Sequence, residues 1–231
     1  MTKRLLLGLA VIVAAALVLT ELVLPKVVGQ MVAHGMKNIV ASDRIVAQVS
    51  KHPSLAMLGG SFDTVDIAAY NAKLDKLTFK VLQLELTDVQ LDRQRLLAHR
   101  DVSIQHVGGI DFSATLTEEE LARYLNQSVK GIRNAQVEIT PGQAKVTSSF
   151  SLGGIANVDI TLDGKIVGEG QLIKFVTERL LINNNLIGSI GGNLLTNIPL
   201  VDLSKAPFGV SVRDIVMTDG LVIINADNRP H

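Results

Sequence analysis

The chain has 231 residues, and its 22 Lys and Arg balance 22 Asp and Glu, so the formal net charge is zero. With no Trp, two Tyr and six Phe it lacks the basic face and stacking rings that nucleic-acid binding needs. The absence of cysteine excludes disulfides, thiolate metal sites and cysteine nucleophiles, while a hydrophobic share of 47% supplies a core for one domain beyond the N-terminal run.

That run, Leu5 to Leu24 (LLLGLAVIVAAALVLTELVL), follows Lys3 and Arg4 and is closed by Pro25. Helix rises 1.5 Å per residue, so the run is about 30 Å long, the thickness of a bilayer's hydrocarbon core. It predicts a membrane segment over residues 1–25 with Leu5, Leu9, Ile12, Leu17 and Leu22 among its anchoring side chains. Glu21 lies near enough to one end to reach the headgroups. The basic pair favours a cytoplasmic N-terminus and places the rest of the chain outside the cytoplasmic membrane, although Lys26 and Lys37 dilute the bias. A cleaved secretory signal has the same basic and apolar regions. Thr20 to Pro25 offers no A-x-A site, so a single-pass anchor is the reading, with secretion after cleavage as its alternative.

Val28, Met31, Val32, Ile39 and Val40 recur at roughly helical spacing, which predicts an amphipathic connector over 26–42. Ile45, Ala47 and Val49 alternate as a first strand, halted at His52-Pro53, and Leu55 to Ser61 follows as an apolar loop with two glycines. This loop is packed under the domain or touches lipid. From Phe62 the pattern is strand: Val65, Ile67 and Ala69 share a face. In Leu74 to Leu91, Leu77, Phe79 and Val81 face one way; at Val81-Leu82 the phase flips and Leu82, Leu84 and Leu86 carry the apolar side onward, and a second flip brings in Val89 and Leu91. A period of two changes face only with an extra residue, so each switch predicts a β-bulge and a bend. Eighteen extended residues would span about 60 Å, which favours a strand that curls.

Val102 and Ile104 begin another strand, broken at Gly108-Gly109 and resumed by Ile110 and Phe112. Thr117-Glu118-Glu119-Glu120 is a capping box opening a helix with the stripe Leu121, Tyr124, Leu125 and Val129, ended by Gly131. A meander follows: Val137 and Ile139, the Pro141-Gly142 turn, Val146 to Leu152, Val158 to Leu162, the Gly168-Glu169-Gly170 turn, and Gln171 to Asn184. Leu186 to Ile198 reads as a second helix loosened by glycines, Pro199 to Pro207 as a linker, and Val210 to Met217 with Leu221 to Asn225 as a closing hairpin about Asp219-Gly220.

No catalytic constellation emerges. His34, His52, His99, His106 and His231 share no metal-ligand spacing, and His106, on the apolar side of its strand, reads as a core or rim histidine. Gly188 to Gly192 fits neither a dinucleotide nor a phosphate-binding pattern, and the carboxylates alternate along strands as a solvated face does. No enzyme, cofactor or metal is expected.

Pro53 with Leu55 to Gly60 and Phe62-Asp63-Thr64-Val65-Asp66-Ile67, the Leu-rich strand, Leu116 to Leu121, and Pro207-Phe208-Gly209-Val210 with Thr218-Asp219-Gly220-Leu221 together resemble the LmeA-like phospholipid-binding family of bacterial envelope proteins. The order of these degenerate motifs, over about residues 43 to 226, is the specific part. The resemblance implies an extracytoplasmic domain that binds phospholipid at a membrane, similar in plan to folds in which a curved sheet wraps a helix around an apolar tunnel. The expected class is thus α+β: a membrane helix, then a long, strongly curved antiparallel sheet around one or two helices over 43–226, and a tail at 227–231. The groove lining is assigned to Leu77, Phe79, Val81, Leu84, Leu86, Ile104, Phe112 and Phe150. The alternative is a structural or interaction module of the envelope with a dry core, regulating a lipid or cell-wall enzyme.

Overall fold

A computed structural model describes residues 2–37, 40–95, 98, 103–152, 156–183, 185–186, 195–205 and 209–229, with the side chains of 2–18, 152, 156 and 186 outside the described set. The chain is mostly β-sheet. Helix α1 (Thr2–Met36) leads to β1 (Arg44–Ser50), a 3-10 helix (Ser54–Gly59), β2 (Ser61–Leu74), β3 (Leu77–Leu91), β4 (Ile104–Thr117) and α2 (Glu118–Ser128). Then come β5 (Ile132–Thr140), β6 (Gln143–Leu152), β7 (Ala156–Glu169), β8 (Leu172–Ile182), β9 (Asn185–Leu186), β10 (Asn197–Asp202), β11 (Ser211–Thr218) and β12 (Leu221–Asp227). One expected sheet is in fact two six-stranded sheets. The first runs β1-β2-β3-β4-β12-β11, the second β10-β8-β7-β6-β5 with β9 beside β8. The fold separates into two compact units, one of Met1–Ile39, Ile45–Ala68 and Leu84–Gly109, the other of Val40–Arg44, Ala69–Gln83 and Ile110–His231.

In the first unit the helix does not stop at Pro25 but runs on to Met36. Proline inside a helix removes one hydrogen bond and costs about 3 kcal/mol, which packing of the next two turns offsets. Val28, Val32 and Met36 are buried on one stripe and Met31 is half-buried; the helix ends at Met36, Ile39 lies outside the described residues, and Val40 is not helical. A Cβ at Gly29 would lie 2.6 Å from the Ala47 carbonyl oxygen, so the glycine permits α1 to sit directly on β1.

Three strands share one device. Ala69-Tyr70-Asn71-Ala72 in β2, Leu86-Thr87-Asp88-Val89 in β3 and Ile132-Arg133-Asn134-Ala135 in β5 each place buried residues three apart, where alternation would separate them by two or four. In each the residue before the second buried position is in the left-handed region: φ is 50° at Asn71, 49° at Asp88 and 53° at Asn134. Asn and Asp are the non-glycine residues that tolerate this conformation. At Asn134 the pairing with β6 also shifts, between Arg133 and Gln136, which marks a bulge. The second switch expected in β3 is therefore where Asp88 stands. The neighbouring strand makes room for it, since a Cβ at Gly109 would come 2.5 Å from Thr87 Oγ1. The first switch lies between Phe79 and Leu82, both buried; Val81 is only half-buried, so the expected burial of Val81 is corrected.

Asp88 is exposed, which isolates its backbone role. Asp88→Val is expected to lower stability by about 1–2 kcal/mol, because a β-branched residue is disfavoured at positive φ, whereas Asp88→Gly stays within about 0.5 kcal/mol of the parent. Denaturant midpoints of the two variants check this.

In the second unit, β5 to β8 form the predicted antiparallel meander. The α2 capping box is present: Glu120 N–H donates to Thr117 Oγ1 at 3.3 Å and Thr117 N–H to Glu120 Oε2 at 3.1 Å. Leu121, Tyr124 and Leu125 are buried, and Tyr124 Oη donates to the Pro199 carbonyl at 2.6 Å. The linker expected over 199–207 is corrected. Pro199 to Asp202 pair with β8 as an outer strand, and Leu203–Lys205 is a 3-10 turn. An edge is where a strand tolerates proline, and the register shifts between Pro199 and Val201. The helix expected over 186–198 is strand at both ends, Leu186 in β9 and Asn197-Ile198 in β10, and residues 187–194 lie outside the described set. So do His99, Val102, His231 and the Pro207-Phe208 pair.

Candidate functional site

The eight residues assigned to a lipid groove fall in both units. Leu77, Phe79, Val81, Phe112 and Phe150 belong to the second, Leu84, Leu86 and Ile104 to the first. Leu77, Phe79, Leu84, Leu86 and Phe112 are buried, Val81 and Phe150 half-buried, and Ile104 exposed.

In the second unit, β6 carries Ala144, Val146, Ser148 and Phe150 on its inward side, and burial declines along it: the first two are fully buried and Phe150 is half-buried. Their partners across the pair with β7 are Gly164, Leu162, Ile160 and Val158. The Phe150 ring lies over Gly131, where a Cβ would come 2.6 Å from Cε2. Ser148 Oγ is buried on this apolar face with no hydrogen-bond partner among the described residues. An unmade bond at a buried hydroxyl costs about 1–3 kcal/mol.

Among the described residues of the first unit, the exposed large apolar ones are Val46 on β1, Ile104 on β4 and a larger set on α1 and the 3-10 helix. Leu19, Leu22, Val23 and Val27 are exposed on α1, as are Leu55 and Leu58, while Met57 between them is buried. Glu21 ties the two elements: Ser54 N–H donates to its Oε1 at 2.9 Å and Ser54 Oγ to its Oε2 at 2.5 Å. Sequence reasoning placed Glu21 at the headgroups and missed this clamp; the available signal was a lone carboxylate in an apolar run and a lone serine before Leu55. The apolar loop is packed inward at Met57 and exposed at Leu55 and Leu58. Among the described residues no helix is long and apolar enough to cross a membrane. The side chains of Leu5, Leu9, Ile12 and Leu17 lie outside that set.

The polar groups do not converge on a reaction centre. His106 is corrected from the apolar side of its strand to an exposed position, with Nε2 3.7 Å from Asp88 Oδ2. Arg213 lies between Asp111, Asp214 and Asp227, and Arg229 donates to Asp111 at 2.7 Å, an ion network along β4, β11 and β12. Asn225 donates to Asp214 and, with Arg213, holds its carboxyl below the usual range. Burial, and then the charge of Asp75, push the Tyr124 hydroxyl up. Among the described residues no group of three or more His, Asp and Glu could hold a metal ion. Two open grooves, ≈ 330 Å³ beside Gly59, Leu91 to Gln94 and Gln105, and ≈ 290 Å³ beside Glu138, Lys145, Asp163 and Arg179, are mainly polar.

A model of the LmeA-like phospholipid-binding family matches residues 19–227. The chain belongs to this family. The match begins within the exposed apolar part of α1 and ends at the last residue of β12, so the α1 clamp and both sheets lie inside the LmeA-like region. No curated protein and no solved structure matches the chain.

Proposed function

We propose that this member of the LmeA-like family is a membrane-anchored extracytoplasmic protein that holds phospholipid acyl chains on the apolar faces of its sheets, for lipid binding or transfer in upkeep of a cell envelope, and that it is not an enzyme. The observation that carries the reading is the family match over residues 19–227. The exposed Leu19, Leu22, Val23 and Val27, which continue the run from Leu5, support the anchor, because apolar surface in water costs about 25 cal/mol per Å². The lone hydroxyl of Ser148 beside half-buried Phe150 supports an amphipathic ligand.

A second reading, an interaction module with a dry core, is favoured by the complete burial of Leu77 and Phe79. Organic extracts of the full chain, purified from membranes in a phospholipid-free detergent, are expected to contain phospholipid by mass spectrometry. Val81→Trp is expected to lower the lipid per chain with little change in melting temperature. A lipid-free parent, with Val81→Trp destabilised by the roughly 1–3 kcal/mol of an overpacked core, would favour the module instead.

A further inference from the structure

We propose that the 3-10 helix Ser54–Gly59 is a wedge that dips into the lipid bilayer beside α1, with Leu55 and Leu58 as its inserted side chains. The proposal rests on the anchor reading above and gives it a second point of attachment. Three observations carry it.

The first is the division of the apolar residues. Met57 and Ser54 are each 2% exposed, but Leu55 is 45% and Leu58 46% exposed, so the turn packs one side and leaves two leucines in water. Single exposed leucines are ordinary. These two stand next to a helix whose Leu19, Leu22 and Val23 are 60%, 63% and 52% exposed.

The second is that the turn is held at both ends. The two hydrogen bonds from Ser54 to Glu21 fix its start on α1. At its end Gly60 N–H donates to the Met57 carbonyl at 2.8 Å, and Leu91 N–H to the Gly60 carbonyl at 2.7 Å, which ties it to β3. Gly60 has φ +82°, and a Cβ there would lie 2.4 Å from the Leu91 carbonyl oxygen, so glycine is required for this close approach. A turn fixed in this way presents its leucines without first having to be ordered.

The third is depth. Glu21 lies three residues before the end of the apolar run at Leu24, or about 4–5 Å inside it at the helical rise. A segment clamped to Glu21 therefore lies at the boundary between headgroups and acyl chains, within the roughly 5–10 Å that interfacial helices bury. The clamp also gives the carboxylate two donors at a depth where an unpaired charge would be costly. The bilayer is the occupant that fits, because the leucines are continuous with the run that enters it. The inserted side chains are apolar, and the nearby Lys51 is already paired with Asp63 at 2.6 Å.

The absence of cysteine makes the test direct. Leu22→Cys, Leu55→Cys, Leu58→Cys and, as a water-exposed control, Lys145→Cys are each labelled with an environment-sensitive fluorophore in the full chain, reconstituted into phosphatidylcholine vesicles with and without spin-labelled lipid. Quenching is expected at 22, 55 and 58 and not at 145. Ser54→Ala is expected to reduce quenching at 55 and 58 while leaving 22 unchanged. Quenching at 22 with 55 and 58 as unquenched as 145 overturns the wedge and leaves the anchor standing. Absence of quenching at all positions overturns both. Shielding at 55 and 58 that needs high protein density and no spin-labelled lipid assigns the leucines to a second copy and also overturns the wedge.

Discussion

Phe62→Ala is expected to destabilise the protein by about 3–5 kcal/mol, the range for truncating a fully buried aromatic ring whose site cannot close. Phe62 is 0% exposed and opens β2 just after the Ser54–Gly59 turn, in the unit whose core also holds Val32, Met57, Val65, Leu86 and Val89. The loss combines the transfer free energy of the ring with the cavity left behind. Val46→Ala on β1, exposed in the structure, is the control and is expected to stay within about 0.5 kcal/mol. Amide exchange should rise first in β1 and in residues 84–91 of β3, which share this core; unchanged exchange there would separate Phe62 from the stability of the first unit.

Leu121→Ala is expected to cost about 2–5 kcal/mol in the second unit. Leu121 is fully buried at the centre of the α2 stripe, and α2 is held by its capping box, by Glu118 accepting from Ile139 N–H at 2.7 Å and by Asn126 accepting from Ala135 N–H at 2.9 Å. With its backbone held so firmly, the helix cannot slide to fill a cavity. Arg123→Ala, which removes the exposed Arg123–Glu119 pair at 2.7 Å, is expected to cost only about 0.3–0.5 kcal/mol. Melting curves of the two variants should differ by several degrees; equal curves would show that the α2 stripe is not part of the stabilising core.

Features set by neighbours in the chain were legible. The α2 capping box needs only Thr117 and Glu120 three residues apart, and the Pro141-Gly142 and Asp219-Gly220 turns need only a glycine able to take positive φ, 76° and 74° here. Alternation placed β2 to β8, because a strand with one side in a core cannot change its period without showing it. The switch from Leu86 to Val89 was read from the pattern, whereas the residue that makes it, Asp88 at φ 49°, was not named. The candidate site was less legible. Leu77, Phe79, Leu84, Leu86 and Phe112 are buried, yet Ile104 is exposed and Val81 only half-buried, because alternation reports which side a residue shares and not what lies against that side.

What the sequence by itself determined is local: the apolar N-terminal run, the strand periods, the caps, the turns and the family, each written in residues a few positions apart or in the order of short motifs. What only the tertiary structure decided depends on partners far along the chain. Pro25 and Pro199 read as breaks, but burial of Val28, Val32 and Met36 carries α1 past the first, and an edge position beside β8 seats the second in a strand. Glu21 and Ser54, 33 residues apart, carry no mutual signal, and neither does the division of Leu55-Ala56-Met57-Leu58 into an inward methionine and two outward leucines. Propensity and periodicity act within a turn or a strand, whereas burial is fixed by whichever surface the rest of the chain brings into contact.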